Sequence, residues 1–177
     1  AAALSTAQVA ALAAGNLSGL ETADLVKLGT AQINALGSED LTALSTAQLV
    51  ALTTIQVAGI DANLLASLST DTLNTLSSSQ FAALGTAQVA NLTEEQVANL
   101  QLADLQALGS TQVRALTDGQ VTALTAAQVA GMGTAQIAAL TTSQLAALDL
   151  ADFTGMGTAQ FQALTTAQMA SLSVEQI

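Results

Sequence analysis

Carboxylates are the side chains of this sequence best suited to chemistry, and some of them lie close together in the chain. The acidic pairs Glu39–Asp40 and Glu94–Glu95 could offer oxygen ligands to Ca²⁺. Asp149 and Asp152 could act as an acid–base pair. None of these acids lies in an Asp-x-Asp-x-Asp-Gly loop, which gathers several oxygens around a tight turn. We therefore expect no catalytic, metal-binding or cofactor-binding residue, and we interpret these acids as exposed groups at helix N-termini.

The residue types that are absent exclude most other chemistry. The 177 residues include no His, Cys, Pro, Trp or Tyr. Without His and Cys, zinc, copper and haem sites lose their usual ligands, and a Ser–His or Cys–His nucleophile cannot form. The chain has 13 acidic residues but only two basic ones, Lys27 and Arg114. Two basic residues are too few to neutralise a nucleic-acid backbone. We expect neither an enzyme nor a nucleic-acid-binding protein, and we interpret both bases as isolated, solvated charges.

Leucine recurs at every eighth residue from Leu4 onwards and defines the first position of an eight-residue repeat. Only Ile60, Met132 and Met156 replace it in 22 octads. Position six is apolar in all 22 octads, and position five is Gln in 15 of them. The consensus is Leu-[Ser/Thr/Gly]-Thr-Ala-Gln-Val-Ala-Ala. The sequence therefore predicts one continuous repeat array over residues 1–177.

Each octad carries the signals of a helix start. Position two is Ser, Thr, Gly or Asp in 19 of 22 octads, and these residues are favoured at helix N-caps. With Gln three residues later they form a capping box, as in Ser5–Gln8, and positions one and six become the hydrophobic staple. Charge supports the same register independently. All 13 acidic residues lie at positions two to five and both bases at positions seven or eight, as the helix macrodipole favours.

A single long α-helix does not fit this period, because eight residues advance about 800° and the leucine stripe would drift around the helix. A coiled coil requires a repeat of seven or eleven residues. A β-solenoid remains the alternative, since Thr, Val and Ile suit strands. Positions one and six have opposite parity, however, and would point to opposite faces of a straight strand. We therefore predict an all-α solenoid with one very short capped helix per octad.

Helices this short are unstable alone and must pack on their neighbours. We expect positions one and six to point inward, with two to four octads in each superhelical turn. Position eight is small in 18 of 21 complete octads, which should let neighbouring helices approach closely. Because the sequence starts and stops at position six, with Ala1 and Ile177, we expect an excerpt of a longer array or subunits that stack end to end. Polar residues interrupt every apolar stretch, so no membrane insertion is predicted.

The octads are similar to a known class of repeat. Leu140–Leu145 (Leu-Thr-Thr-Ser-Gln-Leu) and Leu164–Met169 (Leu-Thr-Thr-Ala-Gln-Met) resemble the Leu-Thr-Thr-Ala-Gln-Val-Ala-Ala arrays of very large bacterial secreted and cell-surface proteins, described as adhesins or calcium-binding repeat proteins. The resemblance covers the whole chain and implies an extracellular or cell-surface location. Leu92–Val97 also resembles the opening of a TAL-effector repeat, with which it shares only the helix start.

These features favour a structural protein, namely a segment of an extracellular or cell-surface fibre, stalk or spacer. Its expected partner is itself, through end-to-end or lateral assembly. The alternative is a binding module that uses a Thr/Gln-rich face of the solenoid for ice, a glycan or a protein. Thr occupies position three in 11 of 22 octads, including Thr6, Thr30 and Thr46, as a regular binding array would require. Residues such as Glu94 and Leu102 interrupt that array, which favours the structural role.

Overall fold

Every regular element of the fold is helical. A computed structural model describes residues 4–16 and 19–176, and no strand occurs in these ranges. The predicted all-α fold is therefore confirmed, and the β-solenoid is not adopted by the described residues. The expectation of an excerpt was based on Ala1 and Ile177, and both lie outside the described residues. Leu17 lies outside them as well.

Twenty short α-helices follow one another in the described residues, and all except the first contain four to six residues. They are α1 (Thr6–Asn16), α2 (Thr22–Leu25), α3 (Thr30–Asn34), α4 (Gly37–Thr42), α5 (Thr46–Ala51), α6 (Thr54–Ala58), α7 (Ala62–Ala66), α8 (Thr70–Leu73), α9 (Ser78–Ala82), α10 (Thr86–Asn91), α11 (Glu94–Ala98), α12 (Leu102–Ala107), α13 (Ser110–Ala115), α14 (Asp118–Thr122), α15 (Ala126–Gly131), α16 (Thr134–Ala139), α17 (Thr142–Ala147), α18 (Leu150–Gly155), α19 (Thr158–Ala163) and α20 (Thr166–Ala170).

The helices follow the octads with few exceptions. From α2 to α20 there is one helix per octad, and each begins at position three except α4. Helix α4 begins one residue earlier, at Gly37, whose φ of +79° lies in the region that favours glycine. Helix α1 spans two octads, so the prediction of a separate helix in each octad is wrong there. The second of these octads has Ala13 at position two, and alanine is strongly disfavoured at a helix N-cap, where glycine is tolerated.

The helix starts are capped as the sequence predicts. In α15, the Thr125 hydroxyl accepts the backbone N–H of Gln128 at 3.2 Å, and Gln128 Oε1 accepts the N–H of Thr125 at 2.8 Å. The same reciprocal pair forms at Ser45, Thr53, Ser77, Thr93, Thr117, Thr141 and Thr165. At Gly29, Gly85, Gly109, Gly133 and Gly157, only the glutamine contributes, because glycine has no side chain.

Positions one and six form the core, which confirms their predicted inward orientation. Position-six side chains such as Leu25, Val57 and Phe81 are completely buried, and position-one side chains such as Leu52 and Met132 are 3% exposed. Burying a side chain of this size stabilises a fold by about 1.5–3 kcal/mol. Each short helix therefore depends on apolar contacts that it cannot make alone.

The chain divides into two compact units, residues 1–91 and 92–177. Within each unit a helix packs against the helix three elements further along, as α4 does on α7 and α13 on α16. Side-chain hydrogen bonds between these layers join residues 25 to 31 apart, for example Asn34 to the carbonyl of Gly59 and Gln128 to the carbonyl of Val97. Each superhelical turn within a unit therefore contains between three and four octads, inside the expected range.

Position eight packs against position three of the preceding turn. A Cβ atom added to Gly59 would lie 2.3 Å from Cγ2 and 2.8 Å from Cβ of Thr30. A Cβ atom on Gly131 would lie 2.4 Å from Cδ1 of Leu102. At Gly59 the turns approach too closely for a larger residue, whereas at Gly131 the nearest atoms are the end of the flexible Leu102 side chain, which can move. The close approach at Gly59 is consistent with the preference for small residues at position eight.

We expect Gly59→Ala to lower the free energy of unfolding by about 1–3 kcal/mol, the usual cost of overpacking, because the new methyl group meets a stiff β-branched side chain. Gly19→Ala is the matched control, since Gly19 is also at position eight and nothing lies within 4 Å of its added Cβ. Adding Thr30→Ala should recover part of the loss. Urea denaturation measures all three, and equal stability of the two alanine variants would contradict the close approach.

Candidate functional site

The position-five glutamines are the most consistently buried polar side chains of the protein. Twelve of them are 2–6% exposed: Gln48, Gln56, Gln80, Gln88, Gln96, Gln112, Gln120, Gln128, Gln136, Gln144, Gln160 and Gln168. A buried amide is costly unless both its oxygen and its nitrogen are hydrogen-bonded. The partners of these amides therefore define what the site does.

The amide oxygen serves the start of its own helix. In α6, Gln56 Oε1 accepts the backbone N–H of Thr53 at 2.8 Å, and in α16, Gln136 Oε1 accepts the N–H of Gly133 at 2.9 Å. This is the capping-box bond that the sequence predicts. It satisfies an N–H group that has no partner within the helix.

The amide nitrogen serves the end of a helix in the preceding turn. Gln56 Nε2 donates to the carbonyls of Leu25 and Leu28, at 2.9 and 2.8 Å. These carbonyls belong to positions six and one, at the end of α2 and just after it. In the second unit, Gln160 Nε2 donates in the same way to Val129 and Met132, at 3.0 and 2.8 Å. The repeated separations of 31 and 28 residues make this a regular series of contacts between turns, which we call the glutamine ladder.

The ladder was only half predicted from the sequence. The capping box accounts for the oxygen, but Glu would serve there equally well and is favoured by the helix macrodipole. Position five nevertheless has Gln in 15 octads and Glu in none. A preference for the neutral amide indicates that the nitrogen is needed as a hydrogen-bond donor. This preference is the sequence signal from which the bonds between turns could have been predicted. Twelve of these amides lie buried between turns and are therefore not available to the alternative Thr/Gln face.

The acidic pairs of the sequence analysis lie in the first turns of helices. Glu94 and Glu95 are exposed at the start of α11, and Glu39 and Asp40 are exposed or half-buried in the first turn of α4. Within the described ranges, no group of three acidic side chains is arranged to hold a metal ion. The arrangement places these charges where the helix dipole stabilises them.

Asp149 and Asp152 form a capping box of two carboxylates. Asp152 accepts the N–H of Asp149 at 2.9 Å, and Asp149 accepts the N–H of Asp152 at 3.0 Å. Asp152 occupies position five and is 5% exposed. Burial raises the pKa of the Asp152 carboxyl above its usual value, and the nearby Asp149 charge adds to the rise. An ionised Asp152 has no hydrogen for the carbonyls of Val121 and Leu124, which occupy the acceptor positions of the ladder.

The remaining sequence candidates lie at the surface. Lys27 pairs with Asp24 at 3.3 Å, both partly exposed, and Arg114 is exposed in the last turn of α13. Position-three threonines such as Thr46 and Thr134 are exposed. None of the described helices is both long enough and apolar enough to cross a bilayer.

The ALTTAQ repeat model matches residues 17–54, 34–70, 57–94, 97–134, 123–150 and 145–177, which together span most of the chain. The chain belongs to the ALTTAQ-repeat family. Ala163–Gln168 reads Ala-Leu-Thr-Thr-Ala-Gln, so the ALTTAQ motif contains the position-one leucine, the cap and the ladder glutamine. The predicted octapeptide repeat is thereby confirmed. Among proteins of curated function, none matches the chain.

We expect Gln128→Glu to destabilise the ALTTAQ array by about 3–5 kcal/mol near neutral pH. The carboxylate can still accept the bond from the Thr125 N–H. It has no amide hydrogens, however, so the two bonds from Nε2 to the carbonyls of Val97 and Leu100 are lost, and a negative charge faces these carbonyls instead. Gln162→Glu is the control, because Gln162 is exposed at position seven. Thermal unfolding followed by circular dichroism measures the difference, which should shrink at acidic pH as the carboxyl regains a hydrogen. Equal losses in both variants would contradict the ladder.

We expect Asp152→Asn to stabilise the protein at neutral pH. Because the pKa of Asp152 is raised in the folded state, its protonated form stabilises the fold. This contribution to the free energy of unfolding is complete below the unfolded-state pKa of about 4 and is lost as the pH rises through the folded-state pKa. The stability gained by Asp152→Asn should therefore be small in acid and grow towards neutral pH. Urea denaturation across this range measures it. Asp71→Asn, at an exposed position four, should show no comparable growth.

Proposed function

We propose that the chain is a structural spacer, a segment of an extracellular or cell-surface fibre or stalk built from ALTTAQ repeats. The observation that carries the proposal is the glutamine ladder. Its amides repeat one set of contacts between consecutive turns, at separations of 28 and 31 residues. Octads can therefore be added without changing the contacts already made, and the number of octads sets the reach of the array.

A binding module on the surface is supported less well. With twelve of the position-five amides buried, the position-three threonines remain as the threonine array that a ligand of such a module would have to read. Five consecutive octads of the second unit interrupt it with Glu94, Leu102, Ser110, Asp118 and Ala126. A ligand that reads a periodic threonine array would lose its match across this stretch, whereas a spacer tolerates any of these residues.

The extracellular or cell-surface location is proposed from the resemblance to arrays of large bacterial secreted and surface proteins. The composition fits the proposed role of a spacer, since the 13 acidic and two basic residues give the chain a net charge of −11. A net charge of one sign opposes non-specific association between neighbouring arrays.

Insertion of whole octads tests the spacer directly. The chain contains no Cys, so Ser110→Cys and Thr158→Cys provide one pair of spin labels at exposed position-three sites of the second unit. We expect insertions of seven consensus octads between residues 131 and 132, about two superhelical turns each, to lengthen the label distance by equal steps. Double electron–electron resonance measures the distance between the two spin labels.

The control insertion has the same composition and length but a scrambled order, and it should give a broad distance distribution. Unequal or absent steps with the consensus octads would contradict the spacer. On cells that produce the protein, antibodies against the array should bind without permeabilisation, and binding only after permeabilisation would contradict the proposed location. Loss of a ligand in one step on deletion of a particular octad would support the binding module.

A further inference from the structure

The glutamine ladder is interrupted inside the first unit. Position five is Gln in the two octads before the interruption and in the three after it, but Leu64 and Thr72 occupy this position in two successive octads. Leucine has no polar group in its side chain, and the Thr72 hydroxyl forms a hydrogen bond of 2.8 Å with Ser69 Oγ at the start of its own helix. Neither side chain supplies an amide to the preceding turn. In the ladder register, the acceptors 31 and 28 residues earlier are the carbonyls of Ile33, Leu36, Leu41 and Leu44.

Two ladder steps, from α7 to α3 and from α8 to α4, are therefore missing. We call the region that they would span, residues 30–44 and 60–76, the apolar joint. Its core is complete, since Leu65 and Leu73 are completely buried and Leu36 is 4% exposed. Apolar contacts have no preferred direction, whereas a hydrogen bond fixes both a distance and an angle. Helix α4, which packs on α7, begins one residue early here, so the octad register is kept less strictly where the ladder is missing.

Asn34 crosses the apolar joint in the direction opposite to the ladder. It lies at the end of α3, and its Nδ2 donates to the carbonyl of Gly59 at 2.9 Å. Its Oδ1 accepts the N–H of Asp61, the N-cap of α7, also at 2.9 Å. The start of α7 is thus satisfied from the preceding turn and not by a position-five side chain of its own helix. This one amide makes two bonds between turns where two ladder glutamines would make four.

The second unit contains the same contact with the ladder intact. Gln106 also occupies position seven, and its Nε2 donates to the carbonyl of Gly131, 25 residues later, as Asn34 does to Gly59. Gln128 and Gln136 also donate between these turns, to the carbonyls of Val97, Leu100, Leu105 and Leu108. The second unit is therefore an internal reference for what the apolar joint lacks.

We propose that the apolar joint is a hinge, the place at which the array opens first, held closed by its apolar core and the Asn34 amide. Helices of four or five residues do not persist without their neighbours, so opening the joint exposes the backbone N–H groups of α7 and α8. Turns with a continuous ladder stay closed. The inference rests on the proposed spacer role, to which it adds the position at which the spacer yields under load.

Native-state hydrogen exchange of the full chain tests the hinge on buried amides at matched positions. Each of these N–H groups donates to a carbonyl three or four residues earlier, so each exchanges only when its helix opens. The joint amides are those of Leu65, Leu68, Leu73 and Leu76, and the reference amides are those of Val129, Met132, Ile137 and Leu140. After correction for intrinsic rates, we expect the joint amides to exchange about tenfold faster than the reference amides, because four bonds between turns are missing.

Two reciprocal double variants move the interruption. Leu64→Gln with Thr72→Gln restores the ladder and should slow the joint amides to the reference rates. Gln128→Leu with Gln136→Thr makes the same interruption in the second unit and should speed the reference amides about tenfold. Circular dichroism verifies that each variant keeps its helicity. If the restored variant loses helicity, the reciprocal variant decides, and reference amides that keep their wild-type rates in it would overturn the hinge.

A matched pair of single variants tests the amide that holds the joint closed. Asn34→Ala should speed the joint amides about tenfold, because it removes both bonds of Asn34 where no ladder remains. Gln106→Ala removes the equivalent bond to Gly131 and should change the reference amides by less than about twofold, since the ladder remains there. Wild-type joint amides as protected as the reference amides, or equal effects of the two single variants, would overturn the hinge. Equal label-distance steps on octad insertion would still support the spacer in that case, so the two proposals fail separately.

Discussion

The amides of buried position-five glutamines such as Gln56 and Gln160 connect the start of one short helix to the end of another in the preceding turn. The amide oxygen satisfies an N-cap N–H, and the two amide hydrogens satisfy two carbonyls, as Gln56 does for Thr53, Leu25 and Leu28. Helices of four to six residues consist almost entirely of ends, so most of their backbone groups need partners from outside. Three bonds of about 0.5–1.5 kcal/mol each, repeated in successive octads, supply these partners.

This requirement explains the polarity of the interior. A carboxylate at position five would satisfy the helix start and suit the dipole, yet it would repel the carbonyls of the preceding turn. Aspartate is tolerated in a buried ladder position at Asp104 and Asp152. At Asp152 the consequence is visible, because the carboxyl is desolvated, lies beside Asp149, and its pKa is raised. Neutral amides therefore recur because they are the side chains that accept on one side and donate on the other.

Local structure was largely predictable from sequence, and the contacts between turns were not. Caps, staples and charge positions each depend on residues within one octad, so Thr125 and Gln128 suffice to predict the start of α15. The merged helix α1 follows from Ala13, which cannot cap. The partners of the Gln128 nitrogen, Val97 and Leu100, depend on how many octads complete a turn. That number depends on how residues of neighbouring turns fit together, such as Gly59 against Thr30, and no pattern within one octad encodes this fit.

The same residue types have different environments in different turns of the array. Gln8 and Met169 have the residue types of interior ladder and core positions, but both are exposed where their interior counterparts are buried. The environment of these residue types therefore depends on the turns that pack beside them and not on the local sequence alone. Because each turn is completed by the turns beside it, stability should increase with the number of contacts between turns rather than with the quality of any one helix. A protein built on this rule gains length and stability by the same addition of octads, which is the property that a structural spacer requires.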